Sequence, residues 1–156
     1  MSLLEISSRV LLSFLKRVEG FSSLSDEDLL SLVLPMVTVL EYEKGDIIIN
    51  KGSVGDTIFI LFAGKVRIEV EGKENSPGLE LKRGDVVGEM ALVSNDPRSA
   101  NVVATSSVVM LILDVETFQT LMMQNWQVCR AFANLIGHRV LEQEKRHWKS
   151  GNISSE

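Results

Sequence analysis

Between residues 36 and 113 the chain is cut into short runs rich in Val, Ile and Phe, namely MVTVLEY, DIIIN, TIFILF, KVRIEVE, LELK, SANVVA and VVMLIL. No helix tolerates that cadence. Several runs alternate, with Val66, Ile68 and Val70 set against Lys65, Arg67, Glu69 and Glu71, the period of a half-buried strand. Eight of the eleven glycines, from Gly45 to Gly88, punctuate this region. Many short antiparallel strands must hide their edges, which they do by closing into a barrel or packing as two sheets. The expected class is therefore mainly β with helical flanks, a double-stranded β-helix (jelly-roll) barrel with N-terminal and C-terminal helices. Gly45-Asp46, Gly55-Asp56 and Gly84-Asp85 each read as a turn in which glycine takes a positive φ and aspartate bonds the next amides.

The flanks have helical texture. Leu4, Leu11, Phe14, Leu15 and Val18 recur at helical spacing, which predicts an amphipathic helix over 1–19. Glu5, Arg9, Lys16 and Arg17 break the apolar run before it reaches export or membrane-spanning length. Ser25 and Asp28 stand in capping-box spacing ahead of Leu29, Leu30 and Leu32, with Pro35 following. Past the β region Asp114 is a good N-cap for VETFQTLM. From Trp126 onward Cys129, Phe132, Ala133, Ile136 and Val140 keep one apolar stripe, which fades into EQEKRHWK. The domain proper is read as 20–148, with the β roll at about 36–113, helices at about 114–148 and a frayed tail at 149–156.

Composition excludes several functions. A formal net charge of −5 with no basic stripe opposes nucleic acid, so no direct DNA binding by this chain is expected. One cysteine, Cys129, permits neither an internal disulfide nor a C-x-x-C zinc site, which makes a cytoplasmic location the expectation. The two histidines, His138 and His147, are nine residues apart on one helix, so they point about 180° away from each other and share no metal. That weakens a cupin-like metal enzyme. No metal, cofactor or catalytic residue is assigned, and the chain is not expected to be an enzyme.

The stretch GEMALVSNDPRSA, residues 88 to 100, is turn-forming around a short MALV core. Gly88 and Glu89 would open a helical turn whose free amides favour an anion. Arg98 adds a forked, permanent charge that matches two phosphate oxygens. A carboxylate beside it is a poor phosphate neighbour but a good acceptor for sugar hydroxyls. Together they describe a ligand with one phosphate and one free ribose hydroxyl, with Asp96 and Pro97 aiming the arginine.

GEMALVSNDPRSANVVA, together with Gly45-Asp46, Gly55-Asp56-x-x-Phe59 and Gly64-x-Val66, resembles the cyclic-nucleotide-binding domains of catabolite-activator-type regulators, cyclic-nucleotide-dependent kinases and cyclic-nucleotide-gated channels. The similarity covers about residues 20 to 148. It implies that Glu89 binds the ribose 2′-hydroxyl and Arg98 the exocyclic phosphate oxygens. Gly88, Met90, Ala91, Ser99 and Ala100 would complete the phosphate cassette. The ligand implied is cAMP or cGMP, because serine at position 99 does not choose the base. Met90 and Asn101 depart from the commoner Leu and Thr. The resemblance also implies that the final helix folds over the base, where Arg139 and Gln143, four apart, would share a face toward the pocket. Trp148 reads more readily as a packing contact than as a lid. A ligand-free interaction scaffold of the same fold is the main alternative. The outlet is either a homodimer through the C-terminal helix or a separate protein partner.

Overall fold

The computed structural model describes the backbone of residues 1–70 and 79–154, and side chains through Leu141 apart from Val70 and Leu79. Nine strands are seen there: β1 Ser2–Leu3, β2 Thr38–Tyr42, β3 Ile47–Ile49, β4 Thr57–Ala63, β5 Val66–Val70, β6 Leu79–Glu80, β7 Val86–Val87, β8 Ala100–Ala104 and β9 Val108–Asp114. They form two antiparallel sheets, ordered β1-β2-β9-β4-β7 and β3-β8-β5-β6. The fold is the jelly-roll arrangement of antiparallel sheets with helical flanks.

Two apolar layers hold it together. Phe59 and Leu61 of β4, with Val108 and Met110 of β9, meet Val66 of β5 and Val102 and Ala104 of β8 between the sheets. On the reverse face Ile58, Ile60, Leu111 and Leu113 pack against the helices. Strands β4 and β9 are thus covered on both sides, which is why TIFILF and VVMLIL read as continuous apolar runs whereas KVRIEVE alternates. Each such side chain contributes roughly 1.5–3 kcal/mol by leaving water.

Helix α1 covers Ser8–Leu15, capped by Ser7, whose hydroxyl accepts from the Val10 amide at 3.3 Å. It is shorter than the span 1–19 expected from periodicity. Leu4 is not on it: the Leu4 amide donates to the Val39 carbonyl at 3.0 Å, extending the edge pairing of β1 on β2. Edge pairing satisfies the backbone there, and two-residue strands leave no periodic mark. Leu11, Phe14, Leu15 and Val18 are buried as expected. Helix α2 starts at Asp26, with the Ser25 hydroxyl accepting from the Asp28 amide at 3.1 Å, and continues through a π turn and a 3₁₀ turn to Met36.

Helix α3 spans Val115–Gln124, and Asp114 caps it by accepting from the Thr117 amide at 2.9 Å and the Thr117 hydroxyl at 2.8 Å. Helix α4 then runs unbroken from Trp126 to Ser154, so the expected tail is helical to that residue. Its buried stripe is Val128, Ala131, Phe132, Leu135 and Ile136. Ala133 and Val140 face outward, a rotation from the expected stripe. Phe132 anchors the helix, with ring centroids 4.7 Å from Phe21 and 4.6 Å from Phe118.

The Gly-Asp pairs divide. Gly45 and Gly84 take φ of +94°, and the following aspartates reach backward, accepting from the Glu43 and Lys82 amides at 2.8 Å. Gly55 has no positive φ among the described glycines. Its reason for being glycine lies in the site.

Candidate functional site

Strand β7 ends at Val87, and Gly88 turns the chain with φ +93° into a 3₁₀ turn, Glu89–Leu92. The turn's own bonds begin when the Ala91 amide donates to the Gly88 carbonyl at 3.1 Å. The chain then passes Pro97, which bridges to Val54, and enters β8 at Ala100. Arg98 is fixed by its backbone before its side chain acts. Its amide donates to the Ser53 carbonyl at 2.9 Å and its carbonyl accepts from the Gly52 amide at 2.8 Å.

The side chain of Arg98 lies over a floor of two glycines. A Cβ on Gly55 would stand 2.9 Å from the Arg98 Cζ, and one on Gly88 2.6 Å from its Nη1. Both contacts are closer than real Cβ atoms allow unless the guanidinium shifts, and at Gly88 the Thr57 carbonyl, also 2.6 Å away, and φ +93° exclude a side chain as well. Nη2 donates to the Thr57 carbonyl at 2.6 Å. Burial lowers the pKa of Arg98 from its ordinary value, against the opposing pull of Asp56 and Glu89. No ion pair ties Arg98 to a carboxylate among the described residues. A half-buried guanidinium with unused donors favours an incoming anion.

Beside it is a cavity of about 340 Å³, the size range of a small-molecule site. Gly88, Met90, Ala91, Arg98, Ser99 and Ala100 all line it, six of the residues expected from sequence. Its far wall is apolar, made by Ile49, Ile68, Val87 and Val102. Sequence reading missed that wall, and it missed Gly55 and the Thr57 carbonyl. The one available signal was Gly55 itself, which is explained better by crowding than by a turn.

Glu89 and Arg139 are arranged differently from the expectation. Glu89 is only 6% exposed and does not line the cavity. Its Oε1 lies 3.0 Å from Arg139 Nε on α4, an ion pair by distance rather than a straight hydrogen bond. Arg139 does not face the cavity either. It lines a smaller cleft of about 200 Å³ with Arg17, Glu19, Arg83 and Asp85. The cause is the rotated stripe: with Leu135 buried in place of Ala133 and Val140, Arg139 four residues on from Leu135 falls behind the Glu89 turn. Burial raises the Glu89 carboxyl above its ordinary pKa, opposed by its own backbone amide and by Arg139 and Arg98, while Glu19 adds to the rise. The side chains of Gln143, His147 and Trp148 lie outside the described residues. His138 meets Glu19 at 3.3 Å on an exposed helix face.

A family model described as the cyclic nucleotide-binding domain matches residues 39–125. Human cGMP-dependent protein kinase 2 is 35% identical over 141 residues, covering 88% of this chain and 18% of the kinase. Among solved structures, cAMP-bound PfPKA-R superposes with a TM-score of 0.73 at 25% identity, over 92% of this chain and 47% of that one. The Thermus thermophilus catabolite activator protein gives 0.70 at 26%, over 85% and 63%. The chain thus spans about one fifth of the length of the curated relative it matches.

Proposed function

The chain belongs to the cyclic nucleotide-binding domain family, and from that premise we propose that it is a regulatory module whose Arg98 cavity takes cAMP or cGMP and whose helix α4 relays the event. One observation carries this reading. Arg98 is half-buried on the cavity wall, held by two backbone bonds and a glycine floor, with the Thr57 carbonyl as its side chain's hydrogen-bond partner. A cyclic monoanion would meet its remaining donors and the amides that open the Glu89–Leu92 turn. Ser99 would add a hydroxyl, and the wall of Ile49, Ile68, Val87 and Val102 would take the flat faces of sugar and base.

In this reading Glu89, which is buried behind the cavity, turns its carboxyl to accept the ribose 2′-hydroxyl when nucleotide binds, and its pairing with Arg139 supplies the link to α4. A carboxylate that meets both a ribose and a helix arginine makes each affinity depend on the other. Arg139 therefore acts on the site from behind, and base contacts fall to the helix beyond it, where Gln143 remains the candidate. The relative named for cGMP and the structure bound to cAMP make both nucleotides test ligands. The role is binding and relay rather than catalysis. No helix among the described residues is long and apolar enough to cross a membrane. With its single cysteine, the chain suits a cytoplasmic setting, where α4 would act on a second copy or on a protein partner.

Isothermal titration with both nucleotides tests the assignment. Arg98→Ala should weaken binding by about 1.5–3 kcal/mol, about tenfold to over a hundredfold. Unchanged affinity in that variant excludes the phosphate assignment. No heat with either nucleotide at millimolar concentration favours the interaction scaffold.

A further inference from the structure

A second concentration of positive charge lies away from the Arg98 cavity. Arg9, Ser13 and Arg17 follow one another four residues apart along and just past α1, on one helix face. With Val10, Phe14 and Arg83 they line a groove of about 330 Å³. Arg83 is pre-positioned there. Its Nε donates to the Phe62 carbonyl at 2.9 Å, and its guanidinium lies 4.6 Å from the Phe14 ring centroid and 5.1 Å from that of Phe62. With Nε engaged, its two terminal nitrogens make no hydrogen bond among the described residues and keep their donors for a ligand.

Among the described residues no ion pair joins Arg9, Arg17 or Arg83 to a carboxylate. Glu19 and Asp85 share the neighbouring cleft with Arg17 and Arg83, but neither comes within ion-pair distance of them. In a chain of net charge −5, a groove lined by three arginines and no carboxylate is a local reversal of charge. We propose that this groove is a second anion site, taking a small phosphate-type oxyanion between Arg9, Arg17 and Arg83 with the Ser13 hydroxyl as a further donor. The apolar sides from Val10 and Phe14 would exclude water from one flank of the anion. This site is separate from the nucleotide cavity and shares no residue with it.

The test is a titration of the whole chain with inorganic pyrophosphate, inorganic phosphate and chloride at matched ionic strength, following amide and arginine Nε resonances. Saturable shifts at Arg9, Ser13, Arg17 and Arg83 are expected, in the order pyrophosphate, phosphate, chloride. Arg9→Gln and Arg17→Gln should each weaken the pyrophosphate response about two- to fivefold, the scale of exposed ion pairs. Both lie on the surface and leave the core intact. Arg83→Lys keeps the charge but loses the fork, and should also weaken it. In Arg98→Ala the groove shifts should persist. The proposal is overturned by equal responses to all three salts, by shifts confined to the Arg98 cavity, or by groove shifts that survive loss of both Arg9 and Arg17.

Discussion

Between Arg98 and its glycine floor the packing leaves no room for an added atom, with approaches as close as 2.6 Å, and Gly88 is where this is most exposed to substitution. A methyl there would approach both the guanidinium and the Thr57 carbonyl at 2.6 Å, on a backbone with φ +93°. Gly88→Ala should cost about 1–3 kcal/mol of stability in urea unfolding and weaken nucleotide binding in parallel. Full affinity in a folded variant would show that the floor is dispensable. Glu89 makes a pH prediction. Its folded carboxyl holds a proton more tightly than the unfolded one, chiefly through burial. Its contribution to stability is therefore fully present below the ordinary value of 4.5 and is lost as pH rises through the raised folded value. Glu89→Gln should flatten the fall in stability across that window, and an unchanged slope would assign it to other groups. That Gly88, Met90, Ala91, Arg98, Ser99 and Ala100 line one cavity was legible because they lie close together in sequence. The Glu89–Arg139 pair was not, since Val140, the last residue of the expected stripe, is exposed and misplaces how far the helix has turned.

Among the elements, caps and strands were read more surely than ends. Asp114 shows why: a carboxylate three residues ahead of Thr117 names its own acceptor role, and the two bonds are present. Those bonds lower the Asp114 pKa, so its support is present above its ordinary value and fades as pH falls. Asp114→Ala should lower stability by about 1 kcal/mol and reduce the melting temperature, with Asp114→Asn recovering part of the loss. Equal melting temperatures for all three proteins would deny the cap any weight. Strands β4 and β9 were legible as strands, yet their burial on both faces became plain only once helices were seen on the outer side. The two residues of β1 were illegible, because so short an edge strand is defined by its partner rather than by its own pattern.

For the molecule as a whole, jelly roll and helices are one packed body, and the ring cluster of Phe21, Phe118 and Phe132 joins three separate parts of the chain. Gly20 allows that approach, since a Cβ there would stand 3.0 Å from the Phe132 ring. Phe132→Ala should cost about 3–5 kcal/mol in denaturant unfolding. A loss below 1 kcal/mol would mean that α4 is not rooted there. From that root the helix continues to Ser154 without a break, and its full 29 residues make a rod about 43 Å long. Such a rod is a lever arm with its fulcrum at the phenylalanines. A tilt of about 10° at the root would sweep the far end through roughly 6 Å, given 1.5 Å of rise per residue. A displacement too small to open the core would then be a stroke large enough to make or break contact with a neighbouring protein.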